Sequence, residues 1–361
     1  AGPATISNNT IEDVLFGIYV RNAGGTVITN NKVVALPVDV PMRGDGIRIW
    51  YSDNVIVDGK QASDGRDIIL WYYTDALVTN TVFDGNRYGM HLMFSDGATI
   101  KGNSLNRNTI GLYVMYSRKV TIIGNSMSNN VGAPGGGLGL KDVDDAHVEG
   151  NRFVNNQIGA QIDTSPREPG VENYFIGNVF AFNDVGITIQ PAVRHNTFID
   201  NAFIDNNEHL SLMGRGQLKD ITWAVEGSGN YWSDYAGYDA DGNGVGDLPY
   251  VSQQLFESLI SDYPELRLFS YSPASMAIDF AAEAFPSFRP QVRFEDPSPL
   301  MSPNASIYLP AVERQQSTNR VLLGIVAGVV VIGAVVGAIG LRRPTRFAVP
   351  TGVQLSEATG S

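Results

Sequence analysis

The chain has no cysteine among its 361 residues, and only 17% of them are charged. The absence of cysteine excludes disulfides, thiolate metal sites and cysteine nucleophiles, so any soft-metal chemistry must rely on methionine and histidine. Lysine and arginine are also too few for a nucleic-acid partner, because the formal net charge is -12 and phosphate binding depends on basic side chains. With 43% hydrophobic residues and 39 glycines, the composition is that of a globular or repeat protein.

One uncharged apolar run stands out, from Val321 to Leu341. It is long enough to cross the roughly 30 Å hydrocarbon core of a bilayer, and it predicts a transmembrane helix at 321–341. Arginines cluster after the run rather than before it, which predicts that the tail at 342–361 lies in the cytoplasm. The rest of the chain is then extracytoplasmic, in the periplasm or on the outer face of the cytoplasmic membrane. The start at Ala1 shows no apolar signal segment, so export is inferred from the C-terminal apolar run alone.

Short apolar strands recur along the first 228 residues, and most begin with glycine. The intervals from Asp67 to Gly89, from Gly89 to Gly111 and from Gly137 to Gly159 are each 22 residues. A period in the low twenties matches one coil of a parallel β-helix. The sequence therefore predicts an all-β, right-handed parallel β-helix over residues 1–228.

A second series of strands ends in asparagine, as at Asn103, Asn125, Asn151 and Asn178. Asparagine tolerates left-handed turns, and its amide can pair with the asparagine one coil away. We expect these asparagines to be structural.

Three further segments separate the repeats from the membrane run. Residues 229–290 carry a distinctive acidic loop and are expected to cap the β-helix. Residues 291–320 are rich in proline and serine and predict an extended linker.

Strand alternation divides the repeats into an inner and an outer face. The positions that directly follow the strand anchors, such as Ile18, Met90 and Leu112, are almost uniformly aliphatic and predict the interior. The outer face has two columns, which are listed here in coil order. The first is Tyr19, Arg48, Ile69, His91, Tyr113, Gly139, Gln161 and Thr188; the second is Arg21, Trp50, Trp71, Met93, Met115, Lys141, Asp163 and Gln190.

His91, Met93 and Met115 are the candidate metal ligands of this outer face. Adjacent coils lie about 4.8 Å apart, so the two methionines should be neighbours, with His91 about 7 Å away on the same strand face. Two thioethers and an imidazole suit copper, above all Cu(I), and suit no hard cation.

Trp50, Trp71 and Tyr113 adjoin these positions and predict a docking surface. Exposed apolar columns more often serve protein docking than metal binding, and the pattern alone leaves both interpretations open. The two are compatible, because copper transfer requires a docked partner.

An acidic loop provides a second candidate metal site. Asp239, Asp241, Asn243, Val245 and Asp247 alternate around a glycine at the sixth position, as at the start of an EF-hand calcium loop. The closing bidentate glutamate is missing. A structural calcium ion and an acidic turn are both compatible with this pattern.

The sequence resembles the NosD family, which are periplasmic copper-maturation factors of nitrous-oxide reductase. The likeness lies in GNYWSDY at 229–235, GDLPY at 246–250, YGMHLMFS at 88–95, GLYVMYS at 111–117 and GLKDVDD at 139–145. It extends over most of residues 1 to about 290.

This resemblance implies a β-helix that is not an enzyme and that helps to load copper into the copper-sulfur centre of nitrous-oxide reductase. The implied partners are that reductase, an ABC transporter with its ATPase and membrane subunits, and a membrane-anchored copper chaperone. Trp232 and Tyr231 lie in the signature and are expected to pack the acidic loop against the end of the β-helix.

Two other functions remain open at this point. Parallel β-helices also include polysaccharide lyases and hydrolases, and Asp142, Asp144 and Asp145 form an acidic group. Paired carboxylates for glycoside cleavage must face one groove, whereas here basic residues occupy the matching place on the adjacent coil, which favours a salt-bridged turn. A surface-anchored carbohydrate-binding protein, with the aromatic column as a sugar platform, is the other alternative.

Overall fold

The chain winds into a parallel β-solenoid. The fold comes from a computed structural model that describes residues 2–133, 135–214, 217–252, 259, 263–269, 272–284 and 292–303. Each coil adds one strand to a nine-stranded face and then passes through two further faces, where all pairing is again parallel. The predicted all-β parallel β-helix is confirmed.

The nine-stranded face carries the outer columns and is called the front face below. Its strands, in coil order, are β3 (Ile18–Arg21), β5 (Ile47–Trp50), β7 (Asp67–Thr74), β9 (Tyr88–Asp96), β12 (Ile110–Met115), β15 (Gly136–Lys141), β18 (Ile158–Asp163), β21 (Val185–Ile189) and β24 (Glu208–Leu212).

The other two faces share three long strands that bend from one face into the next. The second face contains β1 (Thr5–Ser7), β4 (Val27–Ala35), β6 (Ile56–Ser63), β8 (Leu77–Asp84), β10 (Thr99–Lys101), β13 (Thr121–Ile123), β16 (His147–Glu149), β19 (Asn173–Ile176), β22 (Asn196–Ile199) and β25 (Ile221–Thr222). The third contains β2 (Thr10–Val14), the latter halves of β4, β6 and β8, then β11 (Ser104–Asn106), β14 (Ser126–Ser128), β17 (Arg152–Val154), β20 (Val179–Ala181), β23 (Ala202–Ile204) and β26 (Tyr231–Trp232).

Little of the described chain lies outside these faces in regular structure. A small antiparallel pair joins β27 (Tyr250–Val251) to β28 (Glu295–Asp296). Helical segments are a 3-10 turn at Val40–Met42, a second at Pro264–Phe269 and one α-helix, α1 (Pro273–Ala284).

The interior matches the predicted inner face. Ile18, Met90 and Leu112 are at most 5% exposed, as are the other aliphatic residues of that series. On the far side of the core, Phe153, Phe180 and other rings stack coil upon coil about 5 Å apart. Burial of these two layers against each other stabilises the solenoid.

Glycine begins several front-face strands because the coils approach too closely there for a side chain. A Cβ on Gly137 would lie 2.6 Å from the carbonyl oxygen of Gly159 and 2.9 Å from a ring carbon of Phe153. The recurrent glycines in the sequence are therefore consequences of coil stacking.

The recurrent asparagines form a buried amide ladder, which confirms their predicted structural role. In each step, the backbone N–H and the side-chain amide of one asparagine both donate to the side-chain oxygen of the next. Asn125 donates in this way to Asn151, and Asn151 to Asn178, at 2.9 to 3.1 Å. The buried polar groups at this corner are thus satisfied within the fold.

Residues 292–303 differ from the sequence prediction, which assigned the linker to 291–320. Phe294 is 5% exposed and packs on Trp223 at 4.7 Å between ring centroids. Asp296 is fully buried and accepts hydrogen bonds from the backbone N–H of Asn230 and the indole N–H of Trp232. The predicted linker is therefore wrong over this part, because these residues close the end of the solenoid.

The signature segment also contributes to this end. Trp232 is 1% exposed and stacks between Phe203, at 4.2 Å, and Tyr250, at 4.4 Å. Tyr231 is half-buried in β26. The expected packing of the loop against the β-helix is confirmed for Trp232.

The predicted transmembrane run at 321–341 and the tail at 342–361 lie outside the described residues. Within the described ranges, no helix has the length and apolar character needed to cross a bilayer.

Candidate functional site

The front face aligns the candidate ligands as the alternation predicts. His91 pairs with Ile69 on one side and with Tyr113 on the other. In the next column, Met93 pairs directly with Met115. The structure thus brings two thioether side chains onto neighbouring strands, with the imidazole two residues along β9.

His91 is far more enclosed than an outward position would suggest. It is 8% exposed, because three aromatic rings surround its imidazole. Trp71 and Tyr88 meet it edge-on at 5.3 and 5.2 Å, and Tyr113 lies nearly parallel to it at 5.9 Å. Neither ring nitrogen of His91 has a hydrogen-bond partner.

Buried charges lie beside the imidazole. The Asp67 carboxylate is 4.0 Å from Nδ1 of His91, which is too long for a hydrogen bond. Arg87 binds this carboxylate through two nitrogens, with Nε donating to Oδ1 at 2.8 Å. Asp45 is likewise buried and accepts hydrogen bonds from Arg48.

Burial lowers the pKa of His91 to about 4. The nearby Asp67 carboxylate opposes this shift, whereas the guanidinium groups of Arg87 and Arg66 reinforce it. The imidazole is therefore neutral at neutral pH, which is the form that can donate a lone pair to a metal.

The two methionines complete a soft donor set. Met93 and Met115 are both half-buried, so their side chains are neither in the core nor freely solvated. Thioether sulfur and neutral imidazole are ligands that Cu(I) accepts, whereas hard cations favour oxygen. The unpartnered buried nitrogens of His91 and this donor set fit copper.

The predicted docking residues flank the donors. Trp50 and Trp71 stack at 5.9 Å with an interplanar angle of 19°, and both are half-buried. Tyr113 is also half-buried, above His91. Docking by these residues stays a prediction.

A second aromatic row was missed by the sequence reasoning. Tyr51, Tyr72, Phe94 and Tyr116 directly follow the residues of the second column, and they stack at 5.0 to 5.1 Å between ring centroids. We call them the aromatic ladder. Strict alternation would place them inside, but each has a positive φ, between 48° and 55°, that interrupts the alternation of side chains at this position. The first three are 39 to 50% exposed.

This ladder bears on the sugar-platform alternative. Sugar stacking requires open ring faces, whereas Tyr72 and Phe94 are covered on both faces by their neighbours in the ladder. A shallow cavity of about 250 Å³ runs beside the ladder, lined on its other side by Asp53, Thr74 and Asp96. The ladder therefore presents mainly ring edges.

The acidic loop folds around its own backbone. Asp239 accepts from the backbone N–H groups of Gly242 and Gly244 at 2.7 and 2.8 Å, and the Gly244 bond is the main cause that lowers its pKa. Asp247 accepts from the N–H of Ala240. In the described part of the chain, no three histidine, aspartate or glutamate side chains form a metal-binding group. Calcium binding by the predicted set stays a prediction.

The acidic group after β15 has a structural explanation in part. Asp144 is 2% exposed and accepts from the backbone N–H groups of Arg167 and Glu168 at 2.7 and 2.9 Å. Arg118, which the sequence places opposite these aspartates, instead pairs with Glu168 at 2.8 Å. The expected salt bridge between Asp144 and Arg118 is therefore wrong, because the Asp144 carboxylate binds backbone N–H groups instead.

Two solved structures are similar to this chain at low sequence identity. The chain resembles a periplasmic alginate epimerase, AlgG, with 14% identity, a TM-score of 0.41 and coverage of 58% of this chain and 57% of that one. It also resembles the A-module of the mannuronan C-5 epimerase AlgE6 of Azotobacter vinelandii, with 13% identity, a TM-score of 0.35 and coverage of 61% and 81%.

Sequence relatives are more informative. The chain is 37% identical over 130 residues to a probable ABC transporter binding protein NosD of Pseudomonas aeruginosa, and 31% identical over 148 residues to one of Stutzerimonas stutzeri. These matches cover 36% and 41% of this chain, but only 29% and 32% of the relatives' own length.

A sequence model of one family matches a longer stretch. The match runs from residue 35 to residue 237, which is more than half of the chain and includes every candidate copper ligand on the front face. The family is described as periplasmic copper-binding protein (NosD). The chain therefore belongs to the NosD family.

Proposed function

We propose that this protein binds Cu(I) outside the cytoplasm through His91, Met93 and Met115 and delivers it to a copper enzyme during assembly. The observation that supports this most directly is His91, a buried neutral imidazole whose two nitrogens lack partners and which lies beside two paired thioethers. Buried polar atoms without hydrogen-bond partners are rare, and a role in binding an ion is one of the few explanations for them.

The shape of the site suits delivery rather than storage. Few protein ligands and half-buried methionines leave copper accessible to a second protein. The exposed aromatic ladder and Trp71 adjoin the ligands and supply the apolar area that docking requires. A docked partner could thus compete for the ion without unfolding the solenoid.

We further propose the partners that the family implies. The recipient is nitrous-oxide reductase, whose copper-sulfur centre this protein helps to assemble, and a membrane-anchored copper chaperone is a further partner. The name of both curated relatives, probable ABC transporter binding protein, supports association with an ABC transporter. Copper delivery is a binding function, and we propose no enzymatic step for this chain.

The apolar run at 321–341 anchors the protein in this proposal. It would hold the solenoid at the outer face of the cytoplasmic membrane, where a transporter and a chaperone are within reach.

The proposal is tested by Cu(I) competition against a coloured chelator, with the full chain in mild detergent. We compare wild type with the double variant Met93→Leu, Met115→Leu, which keeps volume and apolarity but removes both sulfurs. The Cu(I) affinity should fall by at least roughly tenfold. Loss of a residue that only hydrogen-bonds to a metal ligand already lowers metal affinity by about that much, and here two ligands are removed.

The matched control is the double variant Met42→Leu, Met301→Leu, which removes two methionines that are 61% and 37% exposed and lie outside the front-face strands. Its affinity should equal that of wild type. Maturation of co-produced nitrous-oxide reductase should fail only with the front-face variant. Equal Cu(I) binding by all three proteins, or none by any of them, would refute copper delivery through this site.

A further inference from the structure

We propose that Asp67 is a positioning residue for His91, which holds the proton on Nδ1 so that Nε2 is the atom that binds copper. This inference rests on the proposed function and adds a residue that does not touch the metal.

One possible hydrogen-bond acceptor, the Asp67 carboxylate, lies beside the imidazole of His91. Oδ2 of Asp67 lies 4.0 Å from Nδ1 of His91, about 1 Å beyond a hydrogen bond. The aromatic rings of Tyr88, Trp71 and Tyr113 enclose the imidazole and offer it no acceptor at hydrogen-bond distance, since neither nitrogen is partnered. An approach of about 1 Å would bring Nδ1 within hydrogen-bond distance of the carboxylate.

The carboxylate is fixed in this position before any metal arrives. Its side chain is 1% exposed, and Arg87 binds both of its oxygens. Arg66 lies 3.9 Å from Oδ2 and adds a second positive charge. Because both of these Arg87 nitrogens are donors, the Asp67 carboxylate is held as a hydrogen-bond acceptor.

Metal binding then selects one arrangement of the imidazole. A neutral imidazole carries a single N–H, so a nitrogen that binds copper leaves the proton on the other. An N–H buried without an acceptor destabilises the protein, and Asp67 removes that cost only when the proton is on Nδ1. Carboxylates that accept from metal-binding histidines in this way fix the ring and strengthen the ligand.

A measurement on the wild-type protein tests directly which nitrogen of His91 carries the proton. The full chain is labelled with ¹⁵N-histidine and saturated with Cu(I), and long-range ¹H–¹⁵N correlation spectra then identify the protonated nitrogen of His91. We expect Nδ1 to be protonated and Nε2 to carry the shift of a metal-bound nitrogen. Copper on Nδ1 would overturn the role of Asp67.

A variant provides the second measurement. Asp67→Asn should lower Cu(I) affinity by 10- to 100-fold, because the ring loses its charged acceptor. The control is Asp84→Asn, which weakens a more exposed pair with Arg107 on another face and should leave the affinity unchanged. Thermal melts of both variants check that the fold is retained.

Two different outcomes would refute the positioning role of Asp67 and the proposed copper binding. Absence of Cu(I) binding by wild type would refute the proposed function. Binding by wild type with unchanged affinity in Asp67→Asn would refute only the positioning role.

Discussion

Acid should destabilise this protein through His91, and the effect can be worked out from its environment. In the unfolded chain the imidazole titrates near pH 6.5, whereas burial lowers its pKa to about 4 in the fold. Between these values the unfolded chain binds more protons than the folded one. Stability is therefore complete above about pH 6.5 and is lost as the pH falls towards 4.

The size of the loss follows from the shift. Each unit of pKa difference corresponds to about 1.4 kcal/mol, so the full effect of His91 is about 3 kcal/mol. Between about pH 7 and pH 4.5 the loss is roughly 2 kcal/mol, which lowers the melting temperature by roughly 5 °C for a domain of this size.

The assay compares wild type with His91→Phe, both free of metal. Phenylalanine keeps a flat ring among Trp71, Tyr88 and Tyr113 but cannot titrate. Other groups contribute to the pH dependence of both proteins equally, so the difference between the two melting curves isolates His91. Parallel loss of stability in the two proteins would refute a neutral buried imidazole.

Two further predictions concern coil stacking and the acidic loop. Gly137→Ala should destabilise the fold by about 1 to 3 kcal/mol, because its Cβ would meet the carbonyl oxygen of Gly159 at 2.6 Å. Gly150→Ala is the thermal-melt control, since a Cβ there meets nothing within 4 Å and only its positive φ resists the change; equal melting temperatures would contradict the stacking argument. Calcium at millimolar concentration should raise the melting temperature of wild type but not that of Asp239→Asn. An equal response of both proteins to calcium, or no response of wild type, would leave the loop an acidic turn.

The fold could be predicted because its signals repeat. One glycine or one apolar pair would mean little, but Gly89 and Gly111 recur at the spacing of one coil, and Met90 and Leu112 follow them on the same face. Register then places the outward residues without further information. His91, Met93 and Met115 were found in this way, since alternation and pairing are local properties of strands.

The remaining features depend on contacts that alternation does not encode. His91 lies on the outer face yet is buried, because side chains from three neighbouring positions cover it. Tyr72 and Phe94 point outward at an inward position, because their positive φ values interrupt the alternation within β7 and β9. A row of aromatics directly after the second column was the available signal. Asp296 was assigned to a linker because its partners, such as Asn230, are distant in sequence.

The amide ladder also has a direction, and Asp296 ends it. Each asparagine both accepts from one neighbour and donates to the next, and Asn230 donates in this way to the Asp296 carboxylate. A carboxyl group accepts hydrogen bonds through its oxygens but has no amide N–H to donate. A further coil, or a second molecule added end to end, would therefore find no donor to continue the row. One oxygen in place of one amide nitrogen thus ends the row of amides at Asp296, at the end of the solenoid.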